Sequence, residues 1–157
     1  MTAPLVTVLM SARDVEPYVA ESVGSVLAQT LEDFELVVVE DGSTDGTRAI
    51  LRGFDDPRIR LVLNDTPRGT LAARNQGFAL ARGAFVATLD GCDVMVPERL
   101  DRQVEALRAN PDWVMVASAG VIQRGKKLTG MTEDEADPQV LDWLLNVANV
   151  VAYSTMM

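Results

Sequence analysis

The chain has 157 residues, with 14 lysines and arginines against 23 aspartates and glutamates, which gives a formal net charge of −9. The length suits one domain, and 48% hydrophobic with 24% charged residues is typical of a globular protein. The acidic balance argues against a general nucleic-acid binder. With no histidine and one cysteine, Cys92, the chain cannot form a Ser-His-Asp triad, a Cys/His zinc site or an intramolecular disulfide.

Neither a membrane span nor a secretory signal is visible. No window approaches the roughly 18 consecutive apolar residues that a transmembrane helix needs. The first five residues lack a basic region followed by an apolar run. We therefore expect a cytoplasmic protein without a transmembrane segment, and peripheral attachment to the inner membrane face stays open.

Hydrophobic patterning alternates between strands and helices along the chain. Short β-rich apolar runs predict strands over 5–10, 34–39, 58–63, 84–89 and 113–122. Apolar residues at helical spacing predict helices over 15–29, 47–53, 71–82, 97–109 and 138–147, with Leu71, Phe78 and Ala79 on one face of the third. The acidic segment 132–137 is expected to be a solvated loop.

This alternation predicts one α/β domain over residues 1–157, with a mostly parallel sheet between helices on both faces. Ligands of such sheets bind outside the carboxyl ends of the strands. Three of these ends carry polar residues, at 11–14, 40–43 and 90–93. Because like charges repel, carboxylates gathered at one edge favour a binding role over a stabilising one. Such a crevice suits a cation, ribose hydroxyls or a base N–H.

Familiar phosphate and calcium motifs are absent. The sequence contains no G-x-x-x-x-G-K-[ST], and no G-x-G-x-x-G follows the first strand. Asp41 opens a segment that resembles a calcium loop, but its twelfth position is Arg52 where that loop needs glutamate. The residues alone therefore leave the ligand open.

Four motifs in order resemble the family-two glycosyltransferases of GT-A fold. They are 21–30 (ESVGSVLAQT) with 34–47 (FELVVVEDGSTDGT), 69–77 (GTLAARNQG) with 81–83 (ARG), 89–93 (LDGCD) and 97–100 (PERL). The resemblance implies a Rossmann-like, three-layer α/β/α nucleotide-diphospho-sugar transferase fold. It also implies transfer of a sugar, with inversion, from a nucleotide diphosphate donor, usually with Mg²⁺ or Mn²⁺.

The same resemblance implies roles for particular residues. Asp41 would pair with the donor base, commonly uracil, and Ser11 would line the same pocket. Arg74 would lie near the phosphates, and Asp90 would begin the D-x-D motif that holds ribose or, through the metal, the diphosphate. The metal ligands would be Asp90 and Asp93.

The sequence departs from the family pattern at several of these positions. Cys92 stands where the family has its second aspartate, and a soft thiol is a poor ligand for Mg²⁺ or Mn²⁺. Either Asp93 takes over that role or the metal binds weakly. Residues 11–14 (SARD) replace the family's Pro-x-Tyr-Asn, so Arg13 and Asp14 are weaker candidates for ligand contacts. The family's catalytic base lies in a later Glu-Asp motif, and no base is identifiable here.

We interpret the sequence as that of a glycosyltransferase, whose 157 residues form the donor-binding part and lack the acceptor-binding part. Its expected partners are a UDP-linked sugar and an unknown acceptor. A non-catalytic nucleotide-sugar-binding module is the alternative, and a degenerate fold used for protein contacts is a third. Apolar surface left by a missing second half would favour a homo-oligomer.

Other residues have plain structural interpretations. Asp45 or Thr44 is expected to cap the helix that follows. Cys92 is expected to be a small buried residue, and Trp113 and Trp143 are expected to pack in the core.

Overall fold

A computed structural model describes residues 3–118, 121–124, 127–131 and 156–157. The strands are β1 (Val6–Ala12), β2 (Phe34–Asp41), β3 (Ile59–Asn64), β4 (Phe85–Asp90), β5 (Val121–Arg124) and β6 (Lys127–Met131). The helices are α1 (Val19–Leu27), α2 (Thr47–Arg52), α3 (Thr70–Leu80) and α4 (Arg99–Ala109).

The first four strands form one parallel sheet in the order β3-β2-β1-β4. Strand β1 is central: it pairs with β2 up to Ala12 opposite Glu40, and with β4 up to Ser11 opposite Asp90. Because the three strands run parallel in this register, their carboxyl ends meet at one edge. The predicted parallel α/β sheet is confirmed.

Helices cover both faces of the sheet, which confirms the predicted three layers. On one face α1, α2 and α4 bury a large apolar cluster against alternate residues of β1 and β2, among them Val8 and Leu36. On the other face α3 covers a smaller cluster that contains Leu9, Val37 and Ala73. The near-continuous apolar runs of β1 and β2 are explained by burial on both faces.

The face of α3 that carries Leu71, Phe78 and Ala79 is not the face that packs on the sheet. Leu71 is 75% exposed and Phe78 is also exposed, whereas Ala73 and Gly77 face the sheet. A Cβ at Gly77 would collide with the side chain of Leu9, which is fully buried, so Leu9 would have to shift to make room for it. Close packing of the small residues Ala73 and Gly77 therefore determines which face of α3 contacts the sheet.

The predicted strand over 113–122 is also wrong in most of its length. Trp113 is half exposed and not a core residue, and Val114 is fully exposed. Val116 and Met157 exchange two backbone hydrogen bonds of 2.9 Å, Ala117 forms an isolated antiparallel bridge with Met156, and strand β5 begins only at Val121. The pairing partner comes from distant residues, which local hydrophobicity cannot reveal.

Helix α1 begins at Val19, four residues later than predicted. The backbone N–H of Val15 donates to Thr47 Oγ1 at 2.9 Å, and that of Glu16 donates to Asp45 Oδ2 at 3.0 Å. These contacts connect the segment before α1 to the loop after β2 and to the first residue of α2. Helix α4 similarly begins at Arg99, two residues after the predicted start.

Three expectations concern residues outside the described part of the chain: the acidic loop 132–137, the helix 138–147 and the packing of Trp143. Among the helices of the described part, none has the length and apolar composition needed to cross a bilayer.

A buried carboxylate ties the amino-terminal edge of the sheet together. Glu35 accepts hydrogen bonds from Thr7 Oγ1 at 2.8 Å, Arg60 Nη1 at 3.1 Å and Arg82 Nη2 at 2.6 Å. Thr7 Oγ1 in turn accepts the backbone N–H groups of Arg82 and Gly83. Burial alone raises the pKa of Glu35, but the bonds from Arg82, Thr7 and Arg60 outweigh it and lower the pKa from 4.5 to about 2.

We expect Glu35→Gln to lower the free energy of unfolding at pH 7 by about 3 kcal/mol. Because the folded-state pKa is depressed, the contribution of Glu35 is complete above pH 4.5 and disappears as the pH falls toward 2. The variant should therefore lose stability less steeply over that interval, as measured by urea unfolding at a series of pH values. Glu105→Gln, at an exposed position of α4, should lose stability between pH 4.5 and 2 as steeply as the wild type does. If Glu35→Gln also loses stability as steeply as the wild type, the prediction is contradicted.

Gly77→Ala should destabilise the protein by about 1–3 kcal/mol, because the new methyl group overpacks the contact with Leu9. Gly24→Ala in α1 is the matched control: its added Cβ would meet nothing within 4 Å, and it should stabilise the helix by about 0.5–1 kcal/mol. Thermal unfolding of both variants tests whether α3 packs this closely on the sheet. If the two substitutions change the stability by the same amount and with the same sign, the close packing is refuted.

Candidate functional site

A cleft of about 290 Å³ opens at the carboxyl edge of the sheet, where β1, β2 and β4 end beside the start of α3. Its walls are formed by Ser11, Ala12, Arg13, Val15, Asp41, Gly69, Thr70, Ala73, Arg74, Asp90, Gly91 and Cys92. The topology produces the cleft, because the parallel register ends three strands together and α3 begins above them.

All four residues predicted to bind the donor, Ser11, Asp41, Arg74 and Asp90, line this cleft. Asp93 is not among its lining residues; it follows in the turn after β4, where its N–H donates to the carbonyl of Asp90 at 3.0 Å. The structure thus brings the predicted donor residues together, and their roles remain predictions.

Asp41 is only 3% exposed, and its carboxylate accepts hydrogen bonds from three donors. Asn64 Nδ2 donates to Oδ1 at 2.9 Å, the N–H of Arg68 lies 2.9 and 3.1 Å from the two oxygens, and the N–H of Gly69 donates to Oδ2 at 2.8 Å. Burial raises the pKa of Asp41, but these donors, with the positive charge of Arg13, hold it below its usual value. The carboxylate is therefore fixed in orientation and ionised.

Arg74 and Asp90 face each other across the cleft. Arg74 Nη2 donates to Asp90 Oδ1 at 2.9 Å, and both side chains are partly exposed. A guanidinium presents several donors in a planar fork that suits phosphate as well as carboxylate. The pair can therefore exchange its mutual contact for contacts with an anionic ligand.

The loops after β1 and β2 are joined by polar contacts at the rim of the cleft. Asp14, with a positive φ of 52°, accepts the N–H of Thr44 at 2.7 Å and its hydroxyl at 3.1 Å, while its own N–H donates to Ser43 Oγ. Asp14 thus serves the loop contact, and Arg13, which pairs with it at 3.5 Å, lines the cleft. The predicted cap of α2 by Asp45 or Thr44 is wrong: the N-cap residue is Gly46, and no side chain forms a cap hydrogen bond. Asp45 instead precedes the cap and accepts the N–H of Thr47 at 3.0 Å.

Glu40, the residue before Asp41 in β2, is fully buried. Its carboxylate accepts from Arg48 Nε at 2.6 Å and from the N–H of Ser43. The side chain thus connects α2 to the end of β2, and Glu40 does not line the cleft.

Residues 7–150 match the family model described as "Glycosyl transferase family 2". The chain belongs to this family. The predicted resemblance is thereby confirmed, and the match covers most of the chain.

Two curated relatives illustrate the similarity of this family-two chain to bacterial proteins. It is 36% identical over 133 residues to the succinoglycan biosynthesis protein ExoO of Rhizobium meliloti, covering 84% of this chain and 38% of the relative. It is also 36% identical over 106 residues to UDP-Glc:alpha-D-GlcNAc-diphosphoundecaprenol beta-1,3-glucosyltransferase WfgD of Escherichia coli, covering 68% and 42%. The chain therefore spans about two fifths of the length of these relatives.

Solved structures of GT-A glycosyltransferases share the fold. The mannosyltransferase PcManGT of Pyrobaculum calidifontis, in complex with GDP-Man and Mn²⁺, superposes with a TM-score of 0.67 at 27% identity, covering 79% of this chain and 37% of the other. S. aureus TarS 1-349 in complex with UDP gives a TM-score of 0.63 at 24% identity, covering 73% and 33%. The predicted GT-A fold is confirmed.

The family implies a divalent cation. The residues of the cleft could hold such a cation only together with ligands that the substrate supplies. Across the described ranges, no group of three or more Cys, Asp and Glu residues is arranged to hold a metal. Asp90 offers a carboxylate that Arg74 contacts, and Cys92 offers a thiol. Mg²⁺ commonly uses one or two carboxylates together with substrate phosphates and water. Asp90 therefore suits a cation that binds jointly with a diphosphate, whereas the Cys92 thiol does not.

The end of β3 contributes a polar residue to the site that was not predicted, beside the predicted ends of β1, β2 and β4. Asn64 ends that strand and contacts both Asp41 and Gln76 of α3, at 2.9 and 3.0 Å. Thr70, at the start of α3, was also missed as a lining residue. The sequence contains a signal for Asn64, because it is a polar residue directly after the predicted strand 58–63.

The expectation that Cys92 is a buried residue is wrong: the residue is exposed and lines the cleft. It lies in the turn after Asp90, where the chain leaves the sheet. Partial desolvation and the neighbouring charges of Asp93 and Asp90 raise the pKa of the Cys92 thiol. The thiol form is therefore favoured at neutral pH, and it is a poor ligand for a hard cation.

Asp93→Asn should increase the rate at which iodoacetamide alkylates Cys92 at pH 8 by about two- to threefold, because loss of a nearby negative charge lowers the thiol pKa. The chain has one cysteine, so mass spectrometry reads the reaction directly. Asp112→Asn, an exposed position outside the cleft, should leave the rate unchanged. Equal rates in wild type and Asp93→Asn would refute the electrostatic coupling.

Proposed function

We propose that these 157 residues form the donor-binding part of a glycosyltransferase that transfers a sugar, with inversion, from a nucleotide diphosphate to an acceptor. The observation that carries the proposal is the cleft itself. In a family-two chain, it gathers Ser11, Asp41, Arg74 and Asp90 at the carboxyl edge of a parallel sheet, where such sheets bind ligands.

The two ends of the cleft suit the two ends of a nucleotide diphosphate. Asp41 provides a fixed, ionised acceptor that suits a base N–H, and Ser11 would line the same pocket. Arg74 would take the diphosphate, because its guanidinium is partly exposed in the cleft and already holds one carboxylate. Asp90, its present partner, would turn to the ribose or to a cation.

Mg²⁺ or Mn²⁺ is proposed as the cofactor, held by Asp90, with Asp93 as the second carboxylate, and by the donor diphosphate. When bound, such a cation neutralises negative charge that develops on the leaving diphosphate. Support comes from the GT-A neighbour PcManGT, whose structure contains GDP-Man and Mn²⁺. Arg74 remains beside the site and supplies positive charge whether or not the cation is present.

Uridine diphosphate is the proposed nucleotide, because WfgD, 36% identical to this chain, is named for a UDP-glucose donor. GDP is the second candidate, from the GDP-Man complex of PcManGT. The lipid-linked acceptor in the name of WfgD supports a protein that works at the inner membrane face.

Transfer also requires an acceptor site and a base that deprotonates the acceptor hydroxyl. Because this chain spans about two fifths of its relatives, we propose that both belong to the part of these enzymes that the 157 residues do not cover. The 157 residues alone should then bind donor nucleotide but transfer little or no sugar.

A non-catalytic nucleotide-sugar-binding module is the second candidate. The exposed Cys92 in place of the family's second aspartate favours it, since this change weakens the cation site. The two candidates predict the same nucleotide binding and differ in its dependence on metal.

Calorimetric titration with UDP, with and without Mn²⁺, tests the proposal on the wild type, Asp41→Ala and Asp90→Ala. We expect both variants to weaken UDP binding at least about tenfold, which corresponds to about 1.4 kcal/mol. Asp65→Ala removes an almost fully exposed carboxylate outside the cleft and should bind like the wild type.

The role of metal separates the candidates. Binding that Mn²⁺ strengthens in the wild type but not in Asp90→Ala supports the transferase site. Binding indifferent to Mn²⁺ favours the non-catalytic module. If the wild type binds neither UDP, GDP nor TDP, the donor site is disproved for this chain.

A further inference from the structure

The side chain of Asn64 connects the sheet, the candidate base pocket and helix α3. Asn64 ends β3 opposite Asp41 in the sheet register, and it is 9% exposed. Its Nδ2 donates to Asp41 Oδ1 at 2.9 Å and to Gln76 Oε1 at 3.0 Å. An ionised carboxylate can only accept, so the amide must turn its NH₂ group to Asp41, and both of its hydrogens are used.

The orientation of the Asp41 carboxylate depends on this amide. The other two donors, the N–H groups of Arg68 and Gly69, come from one segment of backbone. Asn64 is the side-chain donor, and it approaches from the neighbouring strand. Two donors from one loop can move together, whereas a third from the sheet fixes the carboxylate relative to the core.

The loop that contacts Asp41 also leads directly into α3. Gly42, with φ of 68°, packs so closely against it that a Cβ there would lie 2.7 Å from the nitrogen of Pro67. Gly69 immediately precedes Thr70, the first residue of α3, and Thr70 and Arg74 both line the cleft. The position of this loop therefore sets where the helix presents its cleft residues.

The hydrogen bond to Gln76 is a second connection between Asn64 and α3, besides the one through Asp41 and the loop before the helix. It lies two residues after Arg74 in α3, so the bond from Asn64 ties that turn of the helix to the end of β3. The contact from Arg74 to Asp90 runs from the same helix to the end of β4. One helix thus connects the base end of the cleft to its phosphate end.

We infer that Asn64 is a positioning residue of the donor site, holding the Asp41 carboxylate and helix α3 in the relative positions that base recognition requires. The inference rests on the proposed function. It assigns to Asn64 an action through Asp41, with no contact between Asn64 and the nucleotide.

Base selectivity is the property that this arrangement controls. Uracil presents N3–H as a donor, whereas cytosine presents N3 as an acceptor, so a fixed carboxylate acceptor favours UDP over CDP. The fixed carboxylate disfavours CDP because it finds no donor at N3 of cytosine and stays unpaired there. A carboxylate that can reorient avoids this penalty, so the protein loses part of its preference for UDP. General destabilisation of the fold would weaken both nucleotides by the same factor.

The test compares UDP and CDP binding by calorimetry in wild type, Asn64→Ala and the matched control Asn110→Ala. Asn110 Nδ2 donates to the carbonyl of Ala106 at the end of α4, so this control removes an amide hydrogen bond outside the cleft. Asn64→Ala should lower UDP affinity about tenfold and the UDP-to-CDP preference at least about fivefold. Asn110→Ala should change neither by more than about twofold.

A double variant tests whether Asn64 acts through Asp41. In the Asp41→Ala background, Asn64→Ala should weaken UDP binding by less than about twofold, because its target is gone. Hydrogen exchange of the Arg68 and Gly69 amides should be faster in Asn64→Ala than in wild type. If Asn64→Ala does not fold, Gln76→Ala, which removes one of the two acceptors, should shift the nucleotide preference in the same direction by a smaller factor.

Failure of the inference and of the proposed function are distinguishable. Wild-type protein that binds no nucleotide overturns the proposed function, and this inference with it. If the wild type binds UDP and Asn64→Ala keeps the wild-type UDP-to-CDP preference, only the inference is overturned. An undiminished effect of Asn64→Ala in the Asp41→Ala background overturns it as well.

Discussion

Parallel pairing of β1 with β2 and β4 brings several carboxylates to one edge of an already acidic protein, and the structure depends on the donors that compensate them. Glu40 receives Arg48, Asp41 receives two backbone N–H groups and the Asn64 amide, and Asp90 receives Arg74. Unpaired charges crowded in this way would repel one another and resist burial. Each donor also joins two segments, so charge compensation and the assembly of the cleft are the same set of contacts.

The compensating contacts differ in how easily a ligand can replace them. Asp41 is held by backbone and amide donors in a nearly closed environment, which favours a fixed recognition surface. Arg74 and Asp90 form a partly exposed pair, and contacts of this kind contribute little to stability. The cleft therefore has a rigid end at Asp41, which suits a base, and an end at Arg74 and Asp90 whose contacts can be exchanged, which suits a diphosphate.

Local pattern predicted the elements of the sheet well and the contacts between elements poorly. The first four strands and the helices between them came out within a few residues, because burial on both faces and helical spacing are written in the local sequence. The face of α3 was missed, since Gly77 rather than an apolar side chain determines its approach. The strand predicted after α4 was wrong because Val116 pairs with Met157, which is forty-one residues later in the sequence.

The sequence by itself determined the family, the parallel α/β architecture and the acidic strand ends, because motif order and hydrophobic period are properties of the linear chain. It indicated Ser11, Asp41, Arg74 and Asp90, which then proved to line one cleft. Only the tertiary structure decided which polar groups meet: that Asp14 joins two loops, that Cys92 is exposed, and that Asn64 reaches both Asp41 and α3. Hydrogen bonds depend on distance and direction in space, and these are fixed only when distant segments pack together.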